Sequence, residues 1–558
     1  MTAIAPGDRV RLALHRAGRL GRRIRQGAVA GTVRRWRGGR GGAFELLIAP
    51  PDLRTADPTV ALDIYGGRFV FAGQVLEAEG QSPFEAVPPS EDWLRELHGF
   101  GWLRHLRAAD TPLARSNARA ILRDWQKLYG KPTLSIPWET DVAARRALSL
   151  LAQSPLILSD ADHAAYRRFA RGLLGHAAFL KSSISTCEPG LSRLKAAIAV
   201  AAIGLSFSGQ ERIARAGLER LDRELEVQIL PDGGHVSRNP TALVDVLIDL
   251  LPLRQSLIAR GQSPSGLLMN AIDRMTPMLR FFRHADGSFA HFNGASAAAS
   301  SLVPVLLAYD DNLGAPISSA AYSGYERVAV EDMLLLVDTG RPPPIAYSSE
   351  AHAGALAFEL SCGANRIVIN CGAPAARHRE LRRASRLTAA HTTAVLEDLS
   401  SCRFEGPEAN AHIVAGPHSV SVARQTLEDG RVLLDLDHDG YQRRLGLNHQ
   451  RRLILTADGT GLHGSDLFPG EPLRPAIHYA IRFHLHPSVR VDAGETPNGI
   501  DLVLPGGGRW LFEASAPVTI EESVLLSDVV GAIRTRQLVL RDIVQQNPAV
   551  GWRFQRVG

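Results

Sequence analysis

Residues 312–322 read Asn-Leu-Gly-Ala-Pro-Ile-Ser-Ser-Ala-Ala-Tyr, and here the period of the hydrophobic pattern changes. Asn312, Gly314, Pro316 and the two serines stop a helix, because glycine and proline fit turns and serine competes for backbone hydrogen bonds. N-terminal to this break, apolar residues recur at i, i+3 and i+4 in nine stretches: 93–106, 112–128, 141–152, 161–180, 190–205, 209–228, 241–260, 267–282 and 296–307. Ser90, followed by Glu91 and Asp92, marks the start of the first. Helices of this length with no strand between them predict stacked helical hairpins, whose closed form is an (α/α) toroid. C-terminal to the break the runs are short or alternating: 333–337, 355–360, 366–369, 393–396, 432–436, 452–455, 479–485, 502–504, 509–512 and 524–529. Many short strands without helical intervals predict an antiparallel β-sandwich. The expected organisation is a basic arm over 1–42, a toroid-like helical domain over 43–312 and a sandwich over 313–558. Extended runs at 44–48 and 68–76 precede the first helix.

The 558 residues exceed what one core accommodates, and 45% hydrophobic with 22% charged residues suits well-packed domains. Charge is uneven. Eleven arginines and one acid (Asp8) give residues 1–42 a balance of +10, so the rest of the chain sums to −4 and no nucleic-acid partner is expected. Within the arm Val10, Leu14, Ala17, Leu20 or Gly21, Ile24 and Ala28 fall at helical spacing among the arginines. Such a segment suits an anionic membrane surface or a polyanion; the alternative is a solvated arm. Its arginines interrupt any apolar run of a secretory signal, so a cytoplasmic or inner-membrane-associated location is expected. Cys187, Cys362, Cys371 and Cys402 lie far apart and read as free thiols.

Four stretches carry a family resemblance. Pro231-Asp232-Gly233-Gly234-His235-Val236-Ser237-Arg238-Asn239-Pro240 leads into a helix, and Phe282-Arg283-His284-Ala285-Asp286-Gly287-Ser288 leads into the next. Ser348 to Leu360 contains His352 and ends Ala357-Phe358-Glu359-Leu360, and Thr388-Ala389-Ala390-His391-Thr392-Thr393 follows. In order and spacing they resemble the heparinase II/III-like polysaccharide lyases of bacteria. The resemblance implies a toroid followed by a sandwich, β-elimination on an acidic, uronate-containing polysaccharide, and a periplasmic or cell-envelope setting. The chain departs from the family pattern at named positions. Glu350 stands where the first histidine of an HxHxD strand would be, Gly354 where its aspartate would be, and Asn370 where an aspartate precedes Gly372. No tyrosine follows Pro240 at 241–243 or occupies 289–296.

A lyase must neutralise the uronate carboxylate, remove the adjacent proton and protonate the leaving oxygen. The candidate catalytic residues are Asn239 as amide donor, His291, His352 and His391 as bases, and Tyr441 as acid. Asn239 equally suits a helix cap before Pro240. Asn293, His449, Arg451 and Arg452 are the candidate substrate-binding residues, the arginines gripping a carboxylate or sulfate in a bidentate manner, or lying on a charged edge strand. No cofactor is expected; His352, Cys371 and His391 are the one set with zinc-type donors. Asp232 and Asp286, the pair a glycoside hydrolase would need, read as turn formers. Two functions stand: a lyase, or a non-catalytic carbohydrate-binding protein that kept the scaffold and lost the lyase residues.

Overall fold

The computed structural model describes residues 6–34, 44–309, 314–493, 499–546 and 549–557. Two compact units emerge. One consists of Leu14–Gln228 and Asp245–Asp273; the other holds Ile229–Val244 and everything from Arg274 onward, with the first residues of the chain. The sequence places its boundary near 312–313. In the structure the turn 229–244 and the segment 274–309 already belong with the sheets.

The helical unit follows the periodicity closely. Helices run Pro112–Tyr129, Thr140–Ala152, His163–Ser183, Leu191–Ser206, Glu211–Gln228, Thr241–Ala259 and Gly266–Phe281. Thr111 and Asp162 cap two of them, accepting from Ala114 N and Ala165 N. The expected helix 93–106 is two, Glu91–Gly99 and Leu103–Ala109, because Phe100 takes a left-handed backbone (φ 55°) between Gly99 and Gly101. Ser90 caps the first through its hydroxyl. From Ala196 to Leu205 the helix Leu191–Ser206 is apolar around its whole circumference and buried, which a single amphipathic stripe would not require. It lies against Glu211–Gln228 at backbone distance: a Cβ on Gly217 would stand 2.7 Å from Ala201 Cα, and one on Gly204 would meet Ala214. Arg146 is sealed among aromatic rings, its guanidinium carbon 4.2 Å from the Trp125 centroid, with Nε donating to His176 Nε2 at 2.8 Å.

The arm is helical over Pro6–Arg34. Val10, Leu14, Leu20 and Ile24 are 59–69% exposed, so the apolar stripe expected from the sequence faces solvent. Arg22 donates to Glu188 at 2.6 Å. The expected helix 296–307 is instead a 3₁₀ turn, Ala298–Leu302, followed by the short helix Val303–Leu307, where Pro304 permits only a new start.

Two large antiparallel sheets form the rest. The first orders its strands Val420–Thr426, Val432–His438, His449–Leu455, Gly461–Leu467, Ala549–Val557, Arg509–Ala514, Gly499–Val503 and Arg490–Ala493. The second orders Val518–Ser527, Gly531–Ile543, His478–Leu485, Asn365–Ile369, Phe358–Cys362, Met333–Asp338, Tyr325–Val330 and Ser319–Ala320, with Ala394–Leu396 pairing His478–Leu485 from the side. Their facing side chains make one core that includes Leu335, Phe358, Leu434, Leu453, Phe483 and Trp552, with the rings of Phe358 and Trp552 stacked. The strands 420–426, 461–467, 531–543 and 549–557 go unnamed in the sequence reading. Val420–Thr426 is largely exposed and shows no apolar run, while Gly531–Ile543 begins with alternating arginines and turns apolar only over Leu538, Val539 and Leu540.

Candidate functional site

The candidate residues divide into those that meet Glu350, Glu359 or one another near the turn 229–244 and those sealed in the core between the sheets. Asn239 sits in a turn whose preceding residue, Arg238, is held at φ 62°. The Arg238 guanidinium explains the strain. It donates to the carbonyls of Ser323, Gly324, Gly340 and Arg341 and to Asp338 at 2.5 Å, over the ring of Tyr325. Five acceptors around one buried cation fix the turn. Both ends of the Asn239 amide are used. Oδ1 accepts from Thr241 N at 2.9 Å, which is the cap, and Nδ2 donates to Glu350 Oε2 at 3.1 Å and more weakly to Gly294 O at 3.4 Å. The other Glu350 oxygen accepts from Arg382 at 2.6 Å. A carboxylate from the chain itself therefore lies on the amide that was the candidate for a substrate carboxylate.

Two residues on, His352 Nδ1 lies 3.0 Å from His391 Nε2. His391 Nδ1 faces the Leu387 carbonyl at 2.9 Å and must donate there, so its Nε2 accepts and His352 Nδ1 carries the shared proton. That leaves His352 Nε2 with a lone pair. Burial, then the neighbouring His391 and Arg386, pushes the His352 imidazole well below its ordinary range, and burial lowers His391 as well. Both rings are neutral near pH 7. The backbone Cα of Gly354 packs on this pair: a Cβ there would stand 2.8 Å from His391 Cδ2. An aspartate at 354 would need His391 to move.

His291 belongs to a third group. The Arg366 guanidinium lies 3.3 Å from both of its ring nitrogens, and its backbone N donates to Glu359. Burial and then Arg366 lower His291 to about 3. Glu359 also accepts from Arg366 at 2.5 Å and contacts His284 Nε2 at 3.0 Å. Burial opposes its charge, yet Arg366 holds it well below the carboxylate range. Asn370 donates to Glu359 and accepts from Thr392 N, tying this group to the strand that follows His391.

Other candidates are structural. Asn293, expected to bind substrate, is 1% exposed; its amide donates to Tyr325 Oη and Asp338 while its oxygen accepts from His352 N. Tyr441, expected as an acid, lies wholly in the sandwich core, donates to the Ala394 carbonyl at 3.0 Å, and is pushed upward by burial. His449 and Arg451, expected to grip an anion, are sealed on Asp466, at 2.6 and 2.7 Å, and Arg451 also donates to the carbonyls of Leu356 and Thr392. Alternation along the strand His449–Leu455 points these two inward and Arg452 outward, where it pairs with Asp435. Cys371 does not join His352 and His391: its sulfur lies 3.5 Å from His484 Nδ1, and burial pushes the thiol up to about 12. Among the described residues no group of three or more His, Cys, Asp and Glu side chains gathers as a metal site. Asp232 and Asp286 cap turns, accepting from Gly234 N and Ser288 N. Sequence reasoning passed over Arg382 and assigned Glu350 no role; only their meeting on Asn239 marks them.

The family model for the heparinase II/III-like C-terminal region matches residues 312–553. A crystal structure of heparinase III superposes with a TM-score of 0.72 at 13% identity, covering 100% of this chain and 93% of the other. Heparan sulfate lyase HepC from Pedobacter heparinus, in a mutant form, gives 0.63 at 14% identity over 96% of this chain and 88% of its own. At these identities the likeness shows the fold, an (α/α) toroid-type helical domain followed by an antiparallel sandwich. FtsZ-localized protein C from Caulobacter vibrioides is 31% identical over 564 residues, 96% of this chain and 95% of that protein. With that identity spanning nearly both chains, the protein belongs to the same family as FtsZ-localized protein C, and its residues 312–553 form a heparinase II/III-like C-terminal region.

Proposed function

We propose that this protein uses a polysaccharide-lyase scaffold without lyase turnover, as a binding protein that gathers with FtsZ at the inner face of the cytoplasmic membrane. One observation carries the non-cleaving reading: the Asn239 amide is held by Glu350, which is paired in turn with Arg382. β-Elimination requires donors free to meet the charge that develops on the substrate carboxylate, and here the donor already serves a carboxylate. The phenol expected as acid, Tyr441, is spent on a core carbonyl. The FtsZ reading is supported by the 31% identity to FtsZ-localized protein C. The arm supports the membrane: its exposed Val10, Leu14, Leu20 and Ile24 stand among exposed Arg9, Arg11, Arg16 and Arg25, a pattern suited to anionic headgroups. No described helix is long and apolar enough to cross a bilayer. An acidic glycan remains the ligand class suited to the sandwich.

The test has two arms. Incubated with a panel of uronate polymers, the purified protein should generate no ultraviolet absorbance from unsaturated uronate; steady product formation refutes the non-cleaving reading. Mixed with polymerised FtsZ, it should co-sediment, and a protein that stays in the supernatant refutes the FtsZ reading. Cleavage is the second reading, and one observation favours it: the neutral His352–His391 pair leaves a lone pair on His352 Nε2.

A further inference from the structure

We infer that a cavity of about 870 Å³ in the helical unit is a docking site for a short peptide segment in which basic residues follow an apolar one, and that arginines of the chain's own arm guard its rim. The cavity lies where the helices Glu91–Gly99, Pro112–Tyr129 and His163–Ser183 end and where Thr140–Ala152 and Leu191–Ser206 begin. Its size falls within that of ligand pockets, about 300–1,000 Å³. Leu94, Ile136, Trp138 and Phe179 give it an apolar wall. Glu139, Asp141 and Glu188 stand on its rim, 41–49% exposed, and among the described residues no lysine or arginine lines it. Glu139 and Asp141 are paired with Arg95 at 2.8 Å and Lys195 at 3.3 Å. Glu188 is paired with the arm instead, with Arg22 at 2.6 Å and Arg19 at 3.6 Å. An ion pair this open is weak and screened by salt, so the cation of a ligand can replace the arm there.

His98 points to a ligand independently of the rim. It lines the cavity, is wholly buried, and accepts at Nδ1 from Trp125 Nε1 at 3.0 Å. Burial, then Arg146, lowers it to about 3, so the ring is neutral and its one proton sits on Nε2. Among the described residues nothing accepts that proton. A dry, unpaired donor is costly, and a ligand oxygen would relieve it. Beside it the buried Arg146 donates to the carbonyls of His98 and Pro137 at 3.1 and 2.7 Å, so positive charge already occupies the closed end. The ligand's acceptor therefore belongs at His98 and its cation at the rim. A peptide supplies both, with a carbonyl for His98, an apolar side chain for the wall and lysine or arginine for Glu188. An acidic sugar meets the rim carboxylates. A neutral sugar has no open ring to stack on, since Trp138 is 5% exposed with Arg146 and His176 already against it. A polyamine brings no acceptor for His98.

Isothermal titration of the full chain with the amide of acetyl-phenylalanyl-arginyl-arginine tests this. Two comparison peptides carry glutamates in place of the arginines, or glycine in place of the phenylalanine. Arg19→Ala with Arg22→Ala should bind the first peptide several-fold more tightly than the parent, and adding Glu188→Gln should abolish that gain. Both comparison peptides should bind far more weakly. If neither the parent nor the arm variant binds the first peptide, the docking site is overturned, and if the two bind it equally, the guard is. Equal binding of the glycine peptide overturns the role of the apolar wall. A gain that survives Glu188→Gln puts the peptide elsewhere and overturns the site. His98 gives a readout that the arm substitutions leave alone: with saturating peptide its Nε2 proton should shift and exchange more slowly in nitrogen-15 spectra, and an unmoved signal overturns the contact. Neither lyase turnover nor co-sedimentation with FtsZ enters these outcomes.

Discussion

Replacing Arg451 with methionine separates an anion-binding residue from a structural cation. The Arg451 side chain has no exposure and makes four hydrogen bonds, two to Asp466 and one each to the carbonyls of Leu356 and Thr392. Methionine fills much of the volume and removes all four. Asp466 would keep His449 Nε2 at 2.6 Å and Trp552 Nε1 at 2.8 Å but lose its counter-charge. Breaking a buried pair by removing one partner costs about 3–5 kcal/mol. Each carbonyl left dry adds about 1–3 kcal/mol. The sum, on the order of 5–11 kcal/mol, is comparable to the whole stability of a typical domain, about 5–15 kcal/mol. The sandwich of Arg451→Met should be largely unfolded at 37 °C. Denaturant titration followed by tryptophan fluorescence reads this directly, since Trp510 and Trp552 both lie in the affected core. Adding Asp466→Asn should restore part of the loss, because the orphaned charge is the largest share of it. The reasoning fails if Arg451→Met melts within a few degrees of the parent while losing affinity for an acidic glycan, the behaviour of a ligand contact.

Acid should destabilise the fold early. Burial lowers His98, His176, His291 and His484 to about 3 and His235 to about 4, so the unfolded chain binds more protons than the folded one below the ordinary value of about 6.5. Their contribution is complete above that pH and is lost as pH falls, at about 1.3 kcal/mol for each histidine between pH 7.5 and 5.5; an unchanged denaturation midpoint across that interval would contradict the burial. Gly217→Ala drives a methyl to 2.7 Å from Ala201 Cα and should cost about 1–3 kcal/mol by thermal melting, whereas a neutral result would mean the two helices slide apart freely. Leu14→Asp with Ile24→Asp, at exposed positions, should abolish flotation with anionic liposomes at low salt and leave the melting temperature unchanged; persistent flotation would remove the arm from membrane binding.

The sequence by itself determined the order of the architecture. A 3.6-residue period to about 307 and short or alternating runs from 333 onward separate helices from strands, because amphipathicity is local and needs no knowledge of neighbours. The cap at Ser90 was equally legible, and its hydroxyl holds Trp93 N as expected, since a cap acts within three residues. Short motifs brought Asn239, His352 and His391 forward, and the structure sets the two histidines in contact. What only the tertiary structure decided is which polar groups are free. Arg451 and Arg452 are neighbours of the same chemistry, yet the pleat sends one to Asp466 in the core and the other to Asp435 in solvent. Tyr441 and His449 look like reagents in a polar stretch until their partners, Ala394 O and Asp466, arrive from 47 and 17 residues away. Glu350 shows the same principle at the site. A carboxylate binds whatever donors the fold brings to it, and Asn239 and Arg382 are 111 and 32 residues distant, so no local pattern could have shown that this amide was already occupied.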